Sequence, residues 1–135
     1  MLGLNPNVKP GVIALSDHVF IFVCGNNIVI HNTIEKTQKY IPGIDGTQGI
    51  STMQLSPDKR YLAVCERHDQ PICVIYDLVT LKRKRFLTTS EAKATDYTDV
   101  AFATSDDDKL QQYLVTLTNR GTDGQFRLQI WLWDK

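Results

Sequence analysis

Cys65, Glu66, His68, Asp69 and Cys73 fall within nine residues of one another and form the densest gathering of ionisable and metal-binding side chains in the chain. Two thiolates and an imidazole could hold a tetrahedral ion such as zinc. The order Cys-x-x-His-x-x-x-x-Cys offers three ligands without a clear fourth, and both cysteines sit at the ends of short apolar runs. Free cysteine behaves there as a small hydrophobe, so the plainer reading is two core-edge cysteines and a turn histidine. Asp106, Asp107 and Asp108 suggest calcium, but they lack the alternating acidic order of a calcium loop and read as a solvated hairpin turn. His18 and His31 lie on strand-like runs without an acid or thiol nearby, and a general base needs an oriented partner. No Gly-x-Ser-x-Gly elbow, phosphate-binding Gly-Lys-Ser/Thr loop, His-Glu-x-x-His or dinucleotide fingerprint occurs. The chain therefore reads as a non-enzyme with no catalytic, metal or cofactor site and no small-molecule substrate. The alternative is a metal- or thiol-dependent enzyme centred on Cys65, His68 and Cys73.

The candidate protein-interaction residues are Lys82, Arg83, Lys84 and Arg85, four consecutive cations. An exposed basic strand can meet an acidic partner through salt-sensitive contacts. The same residues on an outermost strand also discourage edge-to-edge pairing with other chains. The two roles are compatible. Nucleic acid is not expected, because no aromatic stacking platform accompanies the run and the chain as a whole is neutral.

The elements that must position these residues are short strands. Residues 50–55 alternate apolar and polar, and Ser56-Pro57-Asp58-Lys59 is a turn in which proline pre-sets φ and the Ser and Asp side chains can bond nearby amides. Residues 61–65 and 72–76 are almost continuously apolar, too short for a buried helix and rich in β-branched and aromatic types. Strands of that kind need cover on both faces. Before them, strands are expected at 12–15, 19–23, 28–31 and 39–41, with a tight turn at Gly25-Asn26-Asn27, forming a partial first unit. After them come 81–87, a polar segment at 88–98, and strands at 100–104, 113–117 and 128–133. No helix-period stretch rivals these, although 90–93 could nucleate one turn.

Composition sets the outer limits. The chain has 135 residues, 42% of them hydrophobic and 22% charged, which suits a globular domain with a core rather than a disordered tail. Fifteen basic and fifteen acidic residues cancel, which argues against a polycation for nucleic acid or a membrane surface. No apolar run approaches the ~20 residues of a membrane span, and no secretory leader is expected at the N-terminus. Three cysteines without paired spacing suggest reduced thiols in a cytosolic compartment.

The units repeat. Asn32 and Asp77 are 45 residues apart, within the ~40–45-residue period of WD-type blades, and Asp77 and Asp134 are 57 apart, which implies an insertion of roughly a dozen residues. Ser56-Pro57-Asp58-Lys59-Arg60-Tyr61-Leu62-Ala63, the strand ending Tyr76-Asp77, and Ile130-Trp131-Leu132-Trp133-Asp134 resemble successive WD repeats, without the Gly-His signature. The expected fold is all-β: about three antiparallel WD-repeat β-propeller blades, at approximately 1–45, 46–88 and 99–135, with the last incomplete. A propeller closes a ring of ~4–8 blades, so about three would need covering by further chain or a partner. Gly3-Leu4, Tyr40-Ile41-Pro42-Gly43, Gln48-Gly49-Ile50, Leu55-Ser56-Pro57, Arg60-Tyr61-Leu62-Ala63, Ile75-Tyr76-Asp77-Leu78 and Trp131-Leu132-Trp133-Asp134-Lys135 together resemble the N-terminal propeller of an axonemal WD-repeat family of cilia- and flagella-associated proteins. The resemblance covers nearly the whole chain in order. It implies a scaffold in the cytoskeleton of the cilium or flagellum, on the axoneme, that helps to seat and regulate inner dynein arms on doublet microtubules. It also implies partners among inner dynein arm subunits, doublet-microtubule-associated proteins and tubulin. A general cytosolic WD-repeat adaptor is the alternative, since fold does not fix function.

Overall fold

Three hairpin devices set the path of the chain in the computed structural model, which describes residues 11–67, 71–88, 97–103, 113–118 and 126–133. In the first, Gly25 and Asn26 join two strands as a two-residue loop, and Gly25 adopts φ +61°, the left-handed value that such loops give to glycine. In the second, the Ser56 hydroxyl accepts from the Tyr61 amide at 3.0 Å, Asp58 Oδ1 accepts from the Arg60 amide at 3.0 Å, and Lys59 takes φ +62°. The expected Ser-Pro-Asp turn is therefore held by its own side chains.

The third device occurs twice. Asn32 Oδ1 accepts from the amides of Ile34 and Glu35, and Asp77 Oδ1 accepts from the amide of Val79. Four residues beyond each, Lys36 and Leu81 adopt positive φ, 55° and 59°. The amides of Thr33 and Leu78 both close back to the preceding turn, onto the carbonyls of His18 and Arg60. The 45-residue period between Asn32 and Asp77 is thus a repeat of backbone geometry as well as of residue type.

Eleven strands result, with no helix among the described residues: β1 Val12–Ala14, β2 Val19–Cys24, β3 Asn27–Asn32, β4 Thr37–Pro42, β5 Ile50–Leu55, β6 Tyr61–Glu66, β7 Ile72–Asp77, β8 Lys82–Thr88, β9 Tyr97–Phe102, β10 Tyr113–Thr118 and β11 Leu128–Leu132. Every pairing is antiparallel and sequential, giving sheets β1–β4, β5–β8 and β9–β11, none closed on itself. The first sheet has four strands, one at each of the runs expected at 12–15, 19–23, 28–31 and 39–41. The third begins at Tyr97, inside the segment read as polar, and Tyr97 is fully buried.

The β5–β8 sheet is the middle layer. Leu62, Val64, Ile72, Val74 and Tyr76 face the β1–β4 sheet and pack with Ile21, Val23, Ile28 and Ile41. Ala63, Cys65, Cys73 and Ile75 point the other way and pack with Tyr97, Val100, Phe102, Leu114 and Trp133 of the third sheet. Alternation along β6 and β7 divides one apolar run between two cores, which is why both strands are apolar at successive positions.

Candidate interaction surface

β8 carries the basic run at the outer edge of the middle sheet, as expected, and among the described residues pairs with β7 alone. A bulge in this pairing puts Arg85 opposite Ile75 and Arg83 opposite Tyr76, leaving Lys84 as the extra residue. The bulge breaks strict alternation and splits the four cations into two pairs with different surroundings.

Lys84 and Arg85 turn towards the third sheet. The Lys84 ammonium donates to the Tyr61 hydroxyl at 3.2 Å and lies over the rings of Tyr61 and Trp133, 4.6 Å and 5.5 Å from their centroids. Arg85 Nε donates to the Trp133 carbonyl at 2.7 Å. Trp133 is itself edge-on to Tyr61 and Phe102, with centroids 5.0 Å and 5.4 Å away. The indole is thus held between two sheets by rings and an ammonium, an arrangement in which the quadrupole of each ring attracts the cation and edge contacts are preferred, while the guanidinium fixes the Trp133 backbone.

Lys82 and Arg83 are exposed and stand beside an open groove of about 700 Å3 between the β4 side of the first sheet and the β7–β8 side of the second. Its lining includes Ile41, Ile44, Tyr76, Arg83 and Phe86. Phe86 is half exposed, whereas Ile41 and Tyr76 are buried. Burial, followed by the nearby Glu66 carboxylate, pushes the Tyr76 phenol up to about 12, with Arg83 opposing the shift. The phenol therefore stays a neutral donor at physiological pH. Glu66 is buried beneath the loop after β4, where its Oε1 accepts from the Ile44 amide at 3.2 Å.

The cysteine cluster separates in the structure. Cys65 and Cys73 are direct cross-strand partners, fully buried and reduced, on the face towards the third sheet. Burial first, then the neighbouring Cys73, raises the Cys65 thiol well above its ordinary value, so the reactive thiolate is disfavoured. Glu66, one residue on, points to the opposite face and cannot share an ion with Cys65. His68 and Asp69 lie outside the described residues, as do Asp106, Asp107 and Asp108. His18 sits in a bend before β2 rather than on a strand, and His31 Nδ1 is within 3.1 Å of Gln38 Nε2. No group of three His, Cys, Asp or Glu placed to hold a metal ion occurs among the described residues.

Sequence reasoning missed the Trp133 clamp, the groove and the burial of Glu66 and Tyr97. Tyr97 carried a faint signal as an aromatic closing an otherwise polar stretch. The other three depend on which sheets lie side by side.

No protein-family model matches the chain. Among solved structures, a chain of Kuenenia stuttgartiensis hydrazine synthase superposes with a TM-score of 0.59 at 14% identity, covering 75% of this chain and 28% of that one. A chain of the mitotic checkpoint complex superposes with a TM-score of 0.57 at 13% identity, covering 88% of this chain and 36% of that one. At such identities the likeness is one of fold alone. Among curated proteins, cilia- and flagella-associated protein 57 C of Tetrahymena thermophila is 28% identical over 127 residues, 91% of this chain and 10% of that protein. Cilia- and flagella-associated protein 44 of Mus musculus is 35% identical over 85 residues, 63% of this chain and 5% of that protein. Cilia- and flagella-associated protein 57 of Mus musculus is 33% identical over 138 residues, all of this chain and 10% of that protein. The chain thus spans about a tenth of the length of these protein 57 relatives, and over its whole length it resembles cilia- and flagella-associated protein 57.

Proposed function

We propose that the chain is a structural, non-catalytic part of the ciliary or flagellar axoneme, a set of WD-repeat blades in a scaffold that seats and regulates inner dynein arms on doublet microtubules. The observation that carries this reading is the full-length likeness to a protein named for its association with cilia and flagella. The geometry supports it. Cys65 and Cys73 are buried in the core shared with the third sheet and Glu66 is buried on the opposite face, whereas Lys82 and Arg83 line a groove suited to a protein partner. Its partners are then other axonemal proteins, inner dynein arm subunits and proteins of the doublet surface among them.

The test is fractionation of motile cilia that express the tagged chain. After detergent removes the membrane and matrix, the chain should sediment with the axoneme and leave it at elevated salt together with inner dynein arm components. Recovery of the whole pool in the detergent-soluble fraction would sink the reading.

A further inference from the structure

We propose that the groove between β4 and β8 is a docking site for an acidic peptide segment that carries one bulky apolar side chain. This inference rests on the reading of the chain as a protein-binding module and names the chemistry of the partner.

Ile41 and Ile44 on one bank and Phe86 on the other form an apolar trough, and the Phe86 ring is 50% exposed although it lies directly opposite Val74 of the core. A groove of about 700 Å3 is of the size that takes a bulky side chain together with its flanking backbone. An apolar ring left half in water on the rim of a packed sheet gains by being covered.

The charge on the banks selects the partner. Lys82 and Arg83 line one side. Lys39 is exposed on β4 two residues from Ile41, so alternation puts it on the same face of that strand as the apolar floor. Asp45 is the acidic member of the lining, which leaves cations in excess. The protonated Tyr76 phenol adds a donor at the base. Carboxylates flanking an apolar anchor would meet Lys82 and Arg83 in the groove and Lys39 beyond its lining along β4, whereas a basic segment would be repelled. Lys84 and Arg85 take no part, because they are committed to Tyr61 and Trp133.

The backbone offers a register. β8 is the edge strand of its sheet, so an extended segment can lie along it with its anchor towards the groove. The bulge at Lys84 limits regular pairing to the part of the strand beyond it.

The experiment uses the whole chain and three fluorescein-labelled twelve-residue peptides: one of alternating Glu and Ser around a central Phe, one with each Glu replaced by Lys, and one with Phe replaced by Ser. Fluorescence anisotropy should show the acidic Phe peptide binding at least about ten-fold more tightly than either control, with affinity falling as salt rises. Lys82→Glu with Arg83→Glu should weaken it by about ten-fold or more, and Phe86→Ser should do so independently. Val79→Ser, at an exposed residue outside the groove lining, should leave it unchanged. Circular dichroism checks that each variant is folded. Equal binding of all three peptides, or undiminished binding by the charge-reversed and Phe86→Ser proteins, would overturn the proposal. So would a dimer of the wild-type chain that the charge reversal dissolves, since the occupant would then be a second copy. Retention on axonemes without peptide binding would remove the groove assignment and keep the axonemal reading. Selective peptide binding by a chain that never sediments with axonemes would do the reverse.

Discussion

Single side chains in this protein are constrained by their immediate neighbours more than by their own propensities. Gly43 is the clearest case: a Cβ there would lie 2.8 Å from the Asn26 carbonyl oxygen, 2.9 Å from Thr47 Cγ2 and 3.0 Å from Glu66 Oε1. The carbonyl is fixed because it accepts the Gly43 amide at 2.9 Å, so it cannot withdraw. Gly43→Ala should lower the unfolding free energy by about 1–3 kcal/mol, read from urea midpoints at constant slope. An unchanged midpoint would show that the loop shifts without cost. Tyr76 gives a pH dependence of known sign. An unfolded tyrosine titrates near ~10, whereas the folded phenol is held protonated to about 12. Its contribution is fully present below the unfolded value and is lost as pH rises through the window from ~10 to about 12. Tyr97, buried beside Cys73 and Cys65, is shifted in the same direction. Tyr76→Phe should therefore shallow the alkaline loss of stability without abolishing it, and alkaline melts followed with tyrosinate absorbance would show this. A variant as alkali-sensitive as the parent would place the titration elsewhere.

At the scale of elements, the third sheet is attached to the second through Trp133 and the facing apolar residues. Trp133→Ala should cost about 3–5 kcal/mol, as expected for truncating a buried large aromatic. Arg85→Ala should cost about 1–2 kcal/mol by withdrawing the donor from the Trp133 carbonyl. In both variants, amide exchange should accelerate in β9, β10 and β11 while β6 and β7 keep their protection against the first sheet. Uniform acceleration across all three sheets would mean that the clamp supports the whole chain. The strands themselves were legible in the sequence. Alternation marked β5, continuous apolar runs marked β6 and β7, and Asn32 and Asp77 marked the 45-residue period of the units. The start of β9 was not, because its single buried aromatic sits among polar neighbours and is apolar only in the company of Cys65 and Cys73. Nor was the bulge in β8, which shows no change of residue type in four consecutive cations.

Among the described residues the sheets form a stack in which the middle sheet is covered twice and the third once. Leu128, Ile130 and Leu132 point away from the second sheet and are 64%, 66% and 41% exposed, with Tyr113 opposite Leu132 at 37%. A contiguous apolar face of this kind drives association. The chain on its own should therefore gain apparent mass with concentration in sedimentation, and Ile130→Lys or Leu128→Lys should suppress this while leaving the circular dichroism spectrum unchanged. A parent chain that stays monomeric at high concentration would show that the face tolerates water. The sequence by itself determined the all-β class, the eleven strands, their hairpin order and the likeness to ciliary proteins. The class, the strands and their order follow from local patterns, namely period-two alternation, turn residues whose side chains bond their own backbone and a 45-residue spacing, whereas the likeness rests on matched stretches such as Arg60-Tyr61-Leu62-Ala63 and Trp131-Leu132-Trp133-Asp134-Lys135. Only the tertiary structure decided which cations meet Trp133 and which face the groove, and which of Cys65 and Glu66 enters which core. Those outcomes depend on the sheet that lies opposite, and residues far apart in sequence become neighbours only when the sheets stack.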